Sequence, residues 1–116
     1  NGRYEDMKVA VDMLKGTEAA ENTVMKIVPA TRRVLGQMIQ NKDLEVLFEA
    51  RTVVSNPGCA GCASGQIGMT GQGEVQVSTG NRNFNGKQGS GLTYLCSPET
   101  ITASAIAGKI ISPENL

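Results

Sequence analysis

Ten of the fourteen glycines in this 116-residue chain fall between Gly58 and Gly91, and that asymmetry restricts the fold more than any other feature. A stretch so rich in glycine loses much backbone entropy on ordering and offers few side chains to bury, so it cannot supply a core. What it offers instead is close approach, of backbone to backbone or of backbone to a ligand. The core must come from the flanking segments. Aromatic residues make up only 3% of the chain, as Tyr4, Phe48, Phe84 and Tyr94. Burial therefore falls to Val, Ile, Leu, Met and Ala, in a chain long enough for one modest core.

The flanks carry helical and strand periodicities in alternation. Met7, Ala10, Val11 and Leu14 recur at helix spacing with Gly16 as a stop. The β-branched run Thr23-Val24-Met25-Lys26-Ile27-Val28, halted by Pro29, reads as a buried strand. Thr31 can cap a second helix with Val34, Leu35, Met38 and Ile39 inward. A third helix is expected over residues 43–50, with Leu44, Leu47 and Phe48 inward, and Thr52-Val53-Val54 reads as the next strand. Inside the glycine-rich segment Glu74-Val75-Gln76-Val77-Ser78 alternates as a strand does, and Thr93-Tyr94-Leu95-Cys96 reads as the last one. Ser97-Pro98-Glu99 has the order of an N-cap, a first-turn proline and a dipole-compatible acid; Ile101, Ala105 and Ile106 face inward, and Gly108 closes the helix. Strands alternating with helices imply an α/β fold with a mainly parallel sheet, as a single domain over residues 1–116.

Composition excludes several functions. Eleven basic residues balance eleven acidic ones, so no global field attracts nucleic acid or an anionic membrane, and the scattered rings form no stacking platform. No apolar run approaches the ~20 residues of a membrane span, and the opening Asn1-Gly2-Arg3-Tyr4-Glu5-Asp6 is unlike a signal peptide. Histidine is absent, which removes Ser–His and Cys–His nucleophiles and imidazole-ligated zinc from this chain. The three cysteines are an odd number, with two of them close in sequence. That pattern suits metal or redox chemistry in a reducing compartment, with the cytoplasm as default location.

Two motifs can carry chemistry. Cys59-Ala60-Gly61-Cys62 follows an expected strand, and two thiols so spaced can ligate a metal centre or close a redox disulfide. The alternative of two small buried residues is disfavoured, because the flanking glycines imply an exposed loop backbone. Zinc would need a second pair of ligands, and a thioredoxin-like pair should open a helix, for which the surrounding glycines are poor. The second motif runs from Ser78 to Gly89, with Arg82 and Lys87 among Ser, Thr and Asn side chains. A guanidinium, amides and open backbone N–H groups suit a di- or tricarboxylate, although an ordinary solvated turn has the same composition.

Taken together, Asn56-Pro57-Gly58-Cys59-Ala60-Gly61-Cys62, Gly73-Glu74-Val75, the block Ser78–Gly89 with Asn81-Arg82-Asn83-Phe84, Tyr94-Leu95-Cys96-Ser97-Pro98 and Ala103-Ser104-Ala105-Ile106-Ala107-Gly108 strongly resemble the aconitase family. Within it they resemble the large subunits of 3-isopropylmalate dehydratase and homoaconitase. The likeness covers nearly the whole chain and identifies it as a C-terminal fragment of such a subunit. It implies the three-layer α/β/α iron–sulfur domain of that family.

The resemblance also implies a function. Three family cysteines hold a 4Fe–4S cluster whose fourth iron acts as a Lewis acid on a hydroxy acid. Cys59 and Cys62 match two of those ligands, and the third is expected just upstream of Asn1. Asn81 and Arg82 match residues beside the cluster that bind a substrate carboxylate. Lys87 stands where the family usually has arginine, which turns a bidentate contact into a point contact. Asn1 matches a residue behind the cluster, and Cys96 matches no ligand. No catalytic acid or base is expected within this fragment. The implied reaction is dehydration and rehydration of a 2-hydroxy di- or tricarboxylate, completed by a small swivelling subunit. 3-Isopropylmalate isomerisation in leucine synthesis leads, with homoaconitate or methylmalate chemistry next. Two readings of another class stay open: an isolated, non-catalytic folding fragment, and a Cys-x-x-Cys redox module with a reversible Cys59–Cys62 disulfide.

Overall fold

The structure, a computed structural model, describes residues 2–62, 66–80 and 87–116. Helix α1 spans Tyr4–Leu14, β1 Lys26–Ile27, α2 Arg32–Gln40, α3 Asp43–Glu49 and β2 Val53–Val54. A 3₁₀ turn at Ala60–Cys62 leads through a loop to β3, Val75–Ser78, and β4, Leu92–Leu95; α4, Pro98–Ala107, and a 3₁₀ turn at Pro113–Asn115 finish the order. Among the described residues both strand pairs are parallel, β1 with β2 and β3 with β4. Parallel neighbours need long crossovers. Helices α2 and α3 supply the first, and the glycine-rich residues 79–91 supply the second. The expected parallel α/β architecture is thus present, as two two-stranded ladders.

The core lies where the flanking periodicities meet. Met7, Ala10, Val11 and Leu14 of α1 are buried with Ile27, Met38, Leu47, Ala50 and Ala105, and α1 packs against α3 and α4. Residues of β1 and β2 close one side, Val54 being partly buried. A buried aliphatic side chain of this kind contributes about 1.5–3 kcal/mol relative to exposure. The caps form as their chemistry dictates. Thr31 Oγ1 accepts from Val34 N–H at 3.2 Å, Ser97 Oγ accepts from Thr100 N–H at 3.2 Å, and Gly108 ends α4 at φ 80°.

Three expectations fail in detail. Ile39 is 57% exposed and Phe48 82% exposed, so neither faces the core. Each lies one position past the residue that seats its helix, Met38 in α2 and Leu47 in α3, about 100° further round. The strand expected over residues 23–28 pairs only at Lys26–Ile27, because its partner β2 is equally short. In β3 and β4 burial does not follow the alternation: Val75, Leu92, Tyr94 and Leu95 are exposed, while Gln76, Val77 and Thr93 are half-buried. Gln76 is held inward by its hydrogen bond to the buried Gln88.

One polar contact behind α1 was invisible in the periodicity. Asp43, only 2% exposed, accepts a 2.9 Å hydrogen bond from the Tyr4 hydroxyl, which itself accepts from Asn41 Nδ2 at 2.8 Å. The link joins the first turn of α1 to the start of α3.

Packing yields a paired prediction. Leu47→Ala should destabilise the chain by about 2–5 kcal/mol, because it opens a cavity against α1. Phe48→Ala should change stability by no more than about 0.5 kcal/mol. Urea denaturation of the two variants distinguishes them; a larger loss for Phe48→Ala would contradict the seating of α3.

Candidate functional site

The site forms at the carboxyl ends of the parallel strands, where α/β sheets generally place ligands. After β1 the chain runs through Val28, Pro29 and Ala30, and two other segments are fastened to that short stretch. Ala30 N–H donates to the Gly2 carbonyl at 2.8 Å, and Gly58 N–H donates to the Pro29 carbonyl at 3.0 Å. The two bonds leave opposite sides of the trans Pro29–Ala30 peptide, so the beginning of the described chain and the start of the Cys59–Cys62 loop flank the end of β1 on either side. Gly2 has to be glycine there: its φ is +76°, and an added Cβ would lie 2.5 Å from the Val28 carbonyl oxygen.

Cys59 and Cys62 are both exposed, while Gly61 between them is buried. The two sulfurs are joined in a disulfide, with the Cα atoms 5.6 Å apart. This is the pairing the redox alternative asks for. In the reduced state the same loop would present two thiols to one ligand. The expectation that flanking glycines leave the loop backbone open is corrected at Gly61. Its Cα is covered by Gln88, whose Oε1 and Cγ would lie 2.7 and 2.9 Å from an added Cβ, and by the Gly68 carbonyl oxygen at 2.9 Å.

Gln88 is the residue that sequence reasoning missed. It is 5% exposed, and its Oε1 accepts from Gln76 Nε2 at 2.8 Å. Its backbone carbonyl accepts from Thr70 N–H and from Thr70 Oγ1, both at 2.7 Å. One side chain thus ties the cysteine loop to β3, and its backbone ties both to residues 68–70. Its neighbour Lys87 donates from Nζ to the Cys62 carbonyl at 2.8 Å. Loop composition and family likeness marked Lys87 for a carboxylate; its placement brings that ammonium to the cysteine loop. No short motif could have revealed Gln88, since its role depends on contacts 12 and more residues away.

Asn81 and Arg82, expected to bind substrate, and Asn1 lie outside the described residues. Cys96 follows β4, where its N–H donates to the Ser78 carbonyl at 2.9 Å, in keeping with a strand cysteine. Among the described residues no group of three or more His, Cys, Asp or Glu side chains is assembled to hold a metal ion.

A model of the aconitase family (aconitate hydratase) matches residues 1–108. The chain belongs to the aconitase family. It is similar to a 3-isopropylmalate dehydratase large subunit of Sulfurovum sp., 42% identical over 118 residues, which cover all of this chain and 28% of the relative. A Methanosarcina mazei protein named "Probable methanogen homoaconitase large subunit" is 44% identical over 117 residues, covering all of this chain and 29% of the relative. A homoaconitase large subunit of Thermus thermophilus is 40% identical over 118 residues, with 28% of its length covered. This aconitase-family chain thus spans under a third of the length of the curated relatives it matches.

The packing beneath Gly61 predicts a coupled pair. Gly61→Ala should cost about 1–3 kcal/mol by overpacking against Gln88 and Gly68. In a Gln88→Ala background the same substitution should cost less, so a double-mutant cycle in thermal unfolding reads a non-zero coupling. Additive losses would contradict the contact.

Proposed function

We propose that this chain is the cluster-bearing, C-terminal part of an iron–sulfur hydro-lyase large subunit, acting on a 2-hydroxy di- or tricarboxylate. The reading rests first on one observation: Gly2 and Gly58 are hydrogen-bonded to the two sides of the Pro29–Ala30 peptide and line one cleft with Cys59, so a residue just upstream of Asn1 would enter the same cleft as Cys59. That convergence fits the donor set. Thiolates are the usual ligands of iron–sulfur clusters, two exposed cysteines share one loop, and a third upstream would complete a three-cysteine site. When bound, the cluster's open iron would supply Lewis-acid polarisation of the substrate hydroxyl.

The chain's own residues would do the rest. Cys59 and Cys62 would hold the group as thiolates, which requires their disulfide to be reduced. Gln88 would keep the loop seated, and Asn1 would lie behind the cluster. Arg82 would bind a substrate carboxylate bidentately, with Asn81 orienting it and Lys87 adding charge at the loop's edge. Among the relatives, names specifying a 3-isopropylmalate dehydratase or homoaconitase favour the first as activity and the second as alternative. Their designation as large subunits supports a small subunit as partner. No helix among the described residues is long and apolar enough to cross a membrane, and a cytoplasmic location is part of the proposal.

The Cys59–Cys62 disulfide favours a second reading, a thiol redox module. One experiment separates the two. The full-length polypeptide, reduced and reconstituted anaerobically, should take up iron and sulfide, and Cys59→Ser should lose most of that uptake. Equal iron in the variant and its parent would overturn the ligand assignment. For the substrate site, Arg82→Lys in the assembled enzyme should lower kcat/KM about 10- to 100-fold, the effect of losing about 1.5–3 kcal/mol of a charged hydrogen bond. Unchanged steady-state kinetics would remove Arg82 from the site.

A further inference from the structure

The two ladders stop at a shared gap. In β1, Val53 N–H donates to the Met25 carbonyl and Ser55 N–H to the Ile27 carbonyl, at 2.9 and 3.0 Å. Residues 25 and 27 therefore point their peptide groups at β2, and by strand alternation Lys26 points its own the opposite way. In β3, Leu92 N–H donates to the Glu74 carbonyl and Cys96 N–H to the Ser78 carbonyl, both at 2.9 Å. The peptide groups of Val75 and Val77 are thereby turned away from β4. Both outward edges, residues 22–28 and 74–80, line one cleft of about 640 Å³. A small molecule could fit a volume of that order. Two rows of outward strand-edge peptide groups, however, are matched best by another extended backbone.

A third element of the cleft says which backbone. Gly2 lines it too, fastened just past the carboxyl end of β1, and α1 begins two residues later. Gly58 and Cys59 after β2, and Thr79 and Gly80 after β3, line the same cleft. A chain running along the cleft parallel to β1 would arrive at Gly2, turn into α1 and return through residues 15–25 to β1. That path is a βαβ unit of which only the helix and second strand are present here.

We propose that the residues immediately preceding Asn1 in the full-length polypeptide form a β-strand in this cleft, parallel to β1 and hydrogen-bonded to β1 on one side and β3 on the other. The two ladders then become one five-stranded parallel sheet in the order β2, β1, inserted strand, β3, β4. There is chain enough for it, since the curated relatives are more than three times as long as the matched region. The proposal concerns topology and holds whether or not iron binds. If the cluster reading also holds, the residue leaving the inserted strand opens into the cleft that Cys59 lines.

Hydrogen exchange on the iron-free, full-length polypeptide tests this, so a failure of cluster binding does not enter. Residue-resolved mass spectrometry should find the amides of Lys26, Val75 and Val77 protected. Proline at two alternate positions in the ten residues before Asn1 should speed exchange there at least about tenfold, with residues 43–50 unchanged. Should that variant not fold, p-benzoylphenylalanine in place of the exposed Val24 gives an independent answer, because photolysis should attach it to the upstream segment. Fast exchange at Val75 and Val77 in the unsubstituted protein, protection that survives the prolines, or capture of a different segment would each overturn the proposal.

Discussion

Two backbone hydrogen bonds at Pro29-Ala30 organise this chain. Ala30 N–H holds Gly2 and the Pro29 carbonyl holds Gly58, so segments more than fifty residues apart in sequence are fixed on either side of the end of β1. Each bond adds about 1 kcal/mol to stability, yet the geometry they impose matters more than their energy. They fix the start of α1 and the Cys59–Cys62 loop at the rim of one cleft. The positive φ and crowded Cα of Gly2 show how tightly that junction is packed.

The density of glycine between residues 58 and 91 follows from the same demand for close approach. Gly61 lies against Gln88 and the Gly68 carbonyl; Gly68, at φ +100°, lies against the Gly61 nitrogen; an added Cβ on Gly91 would meet the carbonyl oxygens of Glu74 and Gly71. These are backbone-to-backbone contacts that any side chain would prise apart. Where residues 58–62, 66–80 and 87–91 meet, few apolar residues are needed, because close-packed peptides and one buried carboxamide make the contacts. For a thiolate site the benefit is positional: the sulfurs can be exposed while the backbone beneath them is fixed.

Much of the fold was legible because it rests on local chemistry. Thr31, Ser97, Pro98 and Gly108 act at helix ends within one turn of themselves, and the α1 stripe of Met7, Ala10, Val11 and Leu14 is buried as its spacing requires. Ile39 and Phe48 misled because an apolar residue beside a seated one shares its periodicity without sharing its burial. The inward turn of Gln76, the Tyr4–Asp43 bond and the part played by Gln88 all depend on distant partners that no window of sequence contains. The cysteine pair was recognisable from spacing, but its meaning came from family likeness. Asn81 and Arg82, the other half of that likeness, fall outside the described residues.

The central claim is that Cys59 and Cys62, brought to the end of β1 by the Pro29-Ala30 anchor, ligate a cluster while Cys96 does not. Differential alkylation of the full-length, anaerobically reconstituted polypeptide measures this directly. Iodoacetamide labelling read by peptide mass spectrometry should find Cys59 and Cys62 protected when iron is bound and reactive once it is chelated under reducing conditions. Cys96 should label alike in both states. Equal labelling of Cys59 and Cys62 with and without iron, or protection confined to Cys96, would contradict the account.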